Sequence, residues 1–291
     1  MFSVNKLLLP VDFSERCLSA ARHTVPTMAR HFGAEVTVLH VLAPYVEFGL
    51  GEPGMIPTIE STAARKAEKR RNLDLFLAEE LGGSRVKRIL IEGDPARTIV
   101  EYAHSENSDL IVMPTHGYGS FRRLLLGSVT SKVLHDADCP VWTGVHLEEQ
   151  PSAQPLSLSH ILCAIDLGPH SAKALDWANR LATEFGSKLT IVHVVASLDP
   201  RTEDYYFAPE WRRLVTDRAK EDIEKLQRNV GTHADVDLEV GDISKSVSFA
   251  AGHLKADLMV IGRGAAAGML GRFRTHAYAI IRQSPCPVVS V

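Results

Sequence analysis

Asp109-Leu110-Ile111-Val112-Met113 and Asp257-Leu258-Met259-Val260-Ile261 decide the fold. Each is an acid followed by a short unbroken apolar run of strand length. Such a run fits a strand covered on both faces, as in a parallel sheet. The second stretch is also a copy of the first, 148 residues on. Working outward, Pro10-Val11-Asp12 recurs as Ala164-Ile165-Asp166, and Val38-Leu39-His40-Val41 as Ile191-Val192-His193-Val194. Gly93-Asp94 recurs as Gly241-Asp242, and Cys139-Pro140-Val141 as Cys286-Pro287-Val288. In chain order the offsets are 154, 153, 148, 148 and 147, so order is kept and only small deletions accumulate. The chain is therefore two copies of one fold. Domain one is expected over 1–146, a polar linker with Pro151 and Pro155 over 147–159, and domain two over 160–291.

Within the first copy, Lys6–Val11, Glu35–Val41, Val86–Ile91, Leu110–Met113 and Val141–Val145 read as strands. Helical patterns lie between them. Ser14 caps one that ends near Gly33, with Pro26 predicting a kink or a late start. Thr58–Leu81 carries Leu73, Phe76, Leu77 and Leu81 at helical spacing. Asp94 caps a helix with Pro95 in its first position, and Ser128 is expected to cap the last, which buries Val129, Val133 and Leu134. In the second copy Ala172, Leu175, Leu181 and Phe185 line the first helix and Gly186 closes it; a long helix follows over Glu210–Asn229. This β-α alternation predicts an α/β protein of two tandem doubly wound parallel-sheet domains, with ligands beyond the carboxyl ends of the strands.

The 291 residues carry 32 Lys+Arg and 35 Asp+Glu, a net charge of −3, which argues against a basic nucleic-acid or membrane-coating face. Hydrophobic residues at 45% and charged residues at 23% can build a sizeable core. No apolar run is long enough for a membrane helix, and the apolar start is ended by Asp12 without a cleavage site, so no signal segment is expected. The cysteines Cys17, Cys139, Cys163 and Cys286 form no C-x-x-C, which predicts reduced thiols in the cytoplasm.

Three segments should meet at one sheet edge. In Pro10-Val11-Asp12-Phe13-Ser14, the Asp12 carboxylate at a strand end can accept two ribose hydroxyls, or it can simply cap the helix. Met113-Pro114-Thr115-His116-Gly117-Tyr118-Gly119-Ser120 leaves the fourth strand, and Gly127-Ser128-Val129-Thr130 opens the last helix. Free amides at a helix start make an anion site, and Arg122 and Arg123 can add charge; alternatively the glycines only turn the chain. Together the three suit a phosphate-bearing nucleotide.

The segment Asp-Leu-Ile-Val-Met-Pro-Thr-His-Gly…Leu-Leu-Leu-Gly-Ser-Val-Thr…Cys-Pro-Val, Asp109 to Val141, closely resembles the universal stress protein family, and both halves share the likeness. The family motif is Gly, two residues, Gly, nine residues, Gly, then Ser or Thr. Here nine residues separate Gly117 from Gly127-Ser128, while Pro114 replaces the first glycine. The resemblance implies Rossmann-like, adenine-nucleotide alpha-hydrolase-like domains. By it, Pro10, Val11, Asp12, Val41 and Met113 surround adenine and ribose. Gly117, Gly127, Ser128, Val129 and Thr130 hold the phosphates of ATP, with or without Mg2+ or Mn2+, and Thr115 and His116 belong to the same loop. It also implies ATP binding in one branch of the family and none in the other.

In the second copy Asp166, Val194, Gly262 and Gly264 survive, but Arg274-Thr275 stands where Gly-Ser would. This predicts a degenerate second site that serves as structure. A dinucleotide fingerprint over Gly262–Ala267 is discounted, since no ribose-binding acid can follow it. No P-loop, G-x-S-x-G or H-E-x-x-H occurs. The 13 histidines are dispersed; His40 and His193 are repeat partners expected to serve the fold, and His116 to contact the ligand or order its loop. Cys139 and Cys286 are expected to pack. Ala43–Pro57 and Ser197–Pro209, with Tyr205, Tyr206 and Phe207, read as variable loops. Each half ends in an apolar edge strand, which the halves can cover by forming an intramolecular pseudo-dimer, with a homodimer as the other arrangement. The expected function is a cytoplasmic stress-response protein that binds ATP in its first domain as a switch or resilience factor. The alternatives are a scaffold without nucleotide and a slow ATP hydrolase.

Overall fold

The computed structural model describes residues 2–44, 59–115, 126–145, 156–196, 209–263 and 272–291. The first repeat supplies strands β1 (Lys6–Pro10), β2 (Glu35–Leu42), β3 (Arg85–Glu92), β4 (Leu110–Met113) and β5 (Val141–Thr143). The second supplies β6 (His160–Ile165), β7 (Lys188–Ala196), β8 (Asp235–Gly241), β9 (Leu258–Ile261) and β10 (Val288–Ser290). All ten form one sheet in the order β3-β2-β1-β4-β5-β10-β9-β6-β7-β8. The order is a palindrome of the two repeats. Every neighbouring pair is parallel except β5 and β10, which run antiparallel with Trp142 opposite Val289. The two expected sheets are thus joined edge to edge, as the pseudo-dimer reading anticipates.

Helices α1 (Glu15–Arg22), α2 (Thr24–Phe32), α3 (Ile59–Leu75), α4 (Pro95–Ser105) and α5 (Ser128–Asp136) belong to the first repeat. To the second belong α6 (Ser171–Phe185), α7 (Pro209–Val230), α8 (Ile243–His253) and α9 (Arg272–Gln283). One face of the sheet carries a core with Leu7, Leu9, Met28, Leu175 and Ile223; the other buries Leu8, Ile99, Val133, Val247 and Ile281. Leu7, Leu8 and Leu9 alternate between faces, as the pleat requires. Both cores run through both repeats. On the first face Phe2 meets Trp177 edge-on at 5.3 Å, and His31 stacks on Phe185 at 4.3 Å.

The sequence boundaries need four corrections. The helix expected from Ser14 to Gly33 is broken at His23, and Pro26 falls in the first turn of α2, where its missing N–H breaks no helical bond. Gly33 closes it at φ +62°, a left-handed cap that Gly186 repeats at +65°. Helix α3 stops at Leu75, short of Leu81, because Arg88 of β3 takes the carbonyls of Leu73 and Phe76, both at 2.9 Å. Phe76, Leu77 and Leu81 are still buried, beyond the helix end. In α6 it is Ala174, not the exposed Ala172, that lines the core. Finally, Gly127 rather than Ser128 is the N-cap of α5, and Ser128 is the first helical residue.

Equivalent polar ties hold both repeats. Asp109 accepts the backbone N–H groups of Asn5 (2.7 Å) and Lys6 (2.9 Å), and Asp257 those of Ser159 (2.7 Å) and His160 (3.0 Å). His40 Nδ1 lies 2.7 Å from the Val11 carbonyl, and His193 Nδ1 lies 2.9 Å from that of Ile165. A carbonyl only accepts, so Nδ1 carries the proton in each. These histidines tie strand two to the end of strand one, the fold role expected of repeat partners. Cys139 and Cys286 also pack, and burial pushes both thiols up to about 11. Of the expected linker, only 156–159 lie within the described residues, with Leu158 buried; the loops 45–57 and 197–208 lie outside them.

Asp109→Ala and Asp257→Ala should each lower stability by about 1–3 kcal/mol in urea denaturation, since each leaves two backbone donors without their acceptor. The losses should add, because no partner is shared. Burial holds the His40 imidazole below its usual 6.5, against the opposing pull of the Val11 bond, so the folded protein favours the neutral ring. The unfolded ring takes its proton near pH ~6.5, so this contribution is complete above that pH and fades as pH falls toward the lower folded value. His40→Asn keeps a donor that does not titrate. Its thermal midpoint should fall less than that of the parent between about pH 7.5 and 5.5.

Candidate functional site

Strands β2, β1 and β4 are neighbours, so their carboxyl ends share one edge. Pro10 ends β1, and Val11, Val41 and Met113 are buried beside it at 6%, 9% and 4% exposure. Asp12 follows, half-buried, and its Oδ1 accepts from the Ser14 amide (2.9 Å) and the Ser14 hydroxyl (2.7 Å). Ser14 Oγ in turn accepts from the Cys17 amide at 3.2 Å and caps α1. Asp12 therefore braces the cap instead of being the cap. A carboxylate has about four lone-pair sites, so two bonds to Ser14 leave capacity for a ligand hydroxyl.

Between Asp12 and Ser14 the backbone at Phe13 turns left-handed, φ +66°. Leu167 does the same in the second repeat, at +59°. A large side chain in that region is uncommon and strained by roughly 1–3 kcal/mol. The turn sets each strand-end acid back against its own helix start. Sequence reasoning missed it because neither Phe nor Leu signals a left-handed turn. Phe13 is fixed by its neighbours: its ring lies 4.5 Å from that of His40 and 6.1 Å from Phe76, with the Lys69 ammonium 5.6 Å away.

The start of α5 faces the same edge through β4. Gly127 N–H donates to the Thr115 carbonyl at 2.9 Å, and the Thr130 hydroxyl donates to that of Pro114 at 3.0 Å. These bonds change the expected roles. The Gly127 amide and the Thr130 proton are committed to the protein and hold the helix against the loop. The amides of Ser128, Val129 and Thr130 have no acceptor within the helix, whose first internal bond runs from Ser131 N–H to Gly127 O at 2.8 Å. Pro114 contributes a carbonyl, which needs no N–H, so its place in the motif is chemically consistent. Thr115 is buried at 4%; His116 and Gly117 lie outside the described residues.

The second repeat repeats the edge with different chemistry. Asp166 Oδ1 accepts from the Gly168 amide and the Ser171 hydroxyl, both at 2.8 Å. Asp166, His193, Val194 and Gly262 line a cavity of about 190 Å³, closed on one side by His276 and Ile280 of α9. Among the described residues, side chains leave this cavity open. Gly264 and the side chain of Thr275 lie outside the described residues. The position of Thr115 is taken by Arg263. Its half-buried guanidinium crosses to the first repeat and donates to the carbonyls of Ala137 (2.5 Å) and Cys139 (2.6 Å). Tyr278 also crosses, its hydroxyl donating to the Ser131 carbonyl at 2.9 Å. Sequence reasoning passed over both residues, since it looked for agreement between the repeats. Their signal was disagreement: Tyr278 aligns with Ser131, and Arg263 with Thr115.

Among the described residues no three His, Cys, Asp or Glu side chains cluster to hold a metal. Among the same residues no helix is long and apolar enough to cross a membrane.

The model of the universal stress protein family matches residues 3–143 and again 158–291. A universal stress protein of Methanocaldococcus jannaschii is 36% identical over 138 residues, covering 47% of this chain and 79% of that protein. One from Thermus aquaticus is 34% identical over 135 residues, covering 46% of this chain and 94% of its own length. Among solved structures, a universal stress protein from Archaeoglobus fulgidus superposes with a TM-score of 0.70 at 24% identity, covering 99% of this chain and 96% of that one, a likeness of fold alone. With two matches in tandem, joined through one sheet, the chain belongs to the universal stress protein family.

Proposed function

We propose that the first repeat binds ATP at the edge formed by Asp12, Val41, Met113 and the start of α5, and that the protein is a cytoplasmic nucleotide-dependent switch or resilience factor in a stress response. One observation carries the reading: the amides of Ser128, Val129 and Thr130 lack acceptors within α5, while Gly127 and Thr130 are used to fix that helix start in place. Such amides, fixed at the positive end of a helix dipole, suit a phosphate chain. The apolar walls of Val11, Val41 and Met113 suit an adenine ring, and Asp12 suits ribose hydroxyls.

The described residues offer no cage for a divalent ion, so Mg2+ or Mn2+ would arrive on the phosphates. Among the described residues of the motif no general base is positioned, which fits slow hydrolysis at most. The second repeat keeps an apolar cavity and an acid but has Arg274 in place of the motif glycine, and is read as having lost the phosphate grip. Free thiols in all four cysteines fit a reducing compartment.

Freshly purified protein, denatured and analysed by absorbance and mass, should release an adenine nucleotide at close to one per chain. A value near two would mean that the second repeat is also filled, and no nucleotide would favour the scaffold reading. Gly127→Arg should abolish ATP binding in calorimetry by covering the amides. Asp12→Ala should weaken it by roughly tenfold to a hundredfold, the worth of a charge-assisted hydrogen bond. Unchanged affinity in both variants would overturn the assignment.

A further inference from the structure

Helix α5 carries the proposed phosphate grip, yet by itself it is a poor helix. It has nine residues, among them two β-branched valines and a threonine, below the length at which a helix holds its own shape in water. Its position must come from tertiary contacts. Val133 and Leu134 bury its underside, and Thr130 ties its first turn to Pro114. The Gly127 N–H ties its N-cap to the Thr115 carbonyl, and two further ties come from the other repeat. Tyr278 donates to the Ser131 carbonyl in the first turn, and Arg263 donates to the Ala137 carbonyl at the C-cap and to Cys139 just beyond. A cation there also suits the negative end of the helix dipole.

The equivalent positions of the two repeats carry different residues. Under the repeat relation Tyr278 corresponds to Ser131 and Arg263 to Thr115, so the first repeat has a short hydroxyl side chain at both places. The second repeat holds α5 at two points, Tyr278 at the residue after Thr130 and Arg263 at the C-cap. We infer that Tyr278 and Arg263 are positioning residues for nucleotide binding in the first repeat: they fix the register of α5 against β4, and the phosphate site is incomplete without the second repeat. This rests on the reading of α5 as the phosphate grip.

The test uses the full chain with ATP and adenosine as separate probes. Adenosine reaches the Asp12 and Val41 end of the site but carries no phosphate for α5. Tyr278→Phe removes only the hydroxyl; it should weaken ATP roughly threefold to tenfold, one hydrogen bond, and leave adenosine within about twofold. Arg263→Lys, which keeps the charge and loses the two-pronged geometry, should show the same split. Amide hydrogen exchange should quicken over residues 131–134 in Tyr278→Phe and stay unchanged in β10. Unchanged ATP affinity, or an equal loss for adenosine, would overturn the inference, as would unaltered exchange in α5. A parent protein that binds adenosine and ATP equally, or neither, would instead overturn the α5 reading and this inference with it, whatever the exchange result.

Discussion

The backbone of β5 is the constraint on which the molecule turns. This strand has β4 on one side and would otherwise present a row of unpaired N–H and C=O groups on the other. Next to that row lies Trp142, fully buried. Pairing with β10 closes the row in three residue pairs, and the Thr143 hydroxyl adds a bond to the Val288 carbonyl. The indole N–H of Trp142 finds no hydrogen-bond partner among the described residues. An orphaned donor costs about 1–3 kcal/mol, while burying roughly 150–250 Å² of indole gains about 4–6 kcal/mol, so packing wins. Separating the repeats would expose this tryptophan and both strand edges together.

From the seam outward, the palindromic strand order puts the two candidate sites on equivalent edges of a single sheet. The helices lie in two layers, and each layer crosses the seam: α2 meets α6 through His31 and Phe185, and α5 meets α9 through Ser131 and Tyr278. The apolar surface of each repeat is therefore completed by the other. The repeats differ where the chemistry of the sites differs, at the loops after β4 and β9 and at the starts of α5 and α9.

Much of this was legible in the residues. The inner strands were plain because both faces of each are buried, which leaves apolar runs such as Leu110–Met113 with bounds good to a residue or two. Asp94 and Gly33 marked their helix ends, since cap chemistry is local. What failed was non-local. The end of α3 is set by Arg88, which arrives from β3, and no pattern within 58–81 contains that information. The break at His23 left Pro26 with two readings that only packing could separate. At the site, the residue types at the strand ends and at the start of α5 were found. Their commitments were not: whether the Thr130 proton goes to a phosphate or to Pro114 depends on a 3.0 Å approach between chain segments. The left-handed turns at Phe13 and Leu167 were hidden because the side chains found there usually avoid that conformation.

The reach of Tyr278 to Ser131, its repeat partner, has a consequence for how such a molecule can arise. In an assembly of two identical subunits every contact near the twofold axis appears twice, and a residue there faces its own copy. A tyrosine in this place would meet a tyrosine, and a serine would meet a serine. Neither pairing sets a long phenol against the backbone of a short residue. Joining the two copies in one polypeptide lifts that obligation, because each side of the axis can then change alone. Covalent fusion leaves each half free to diverge in the residues it places at the seam.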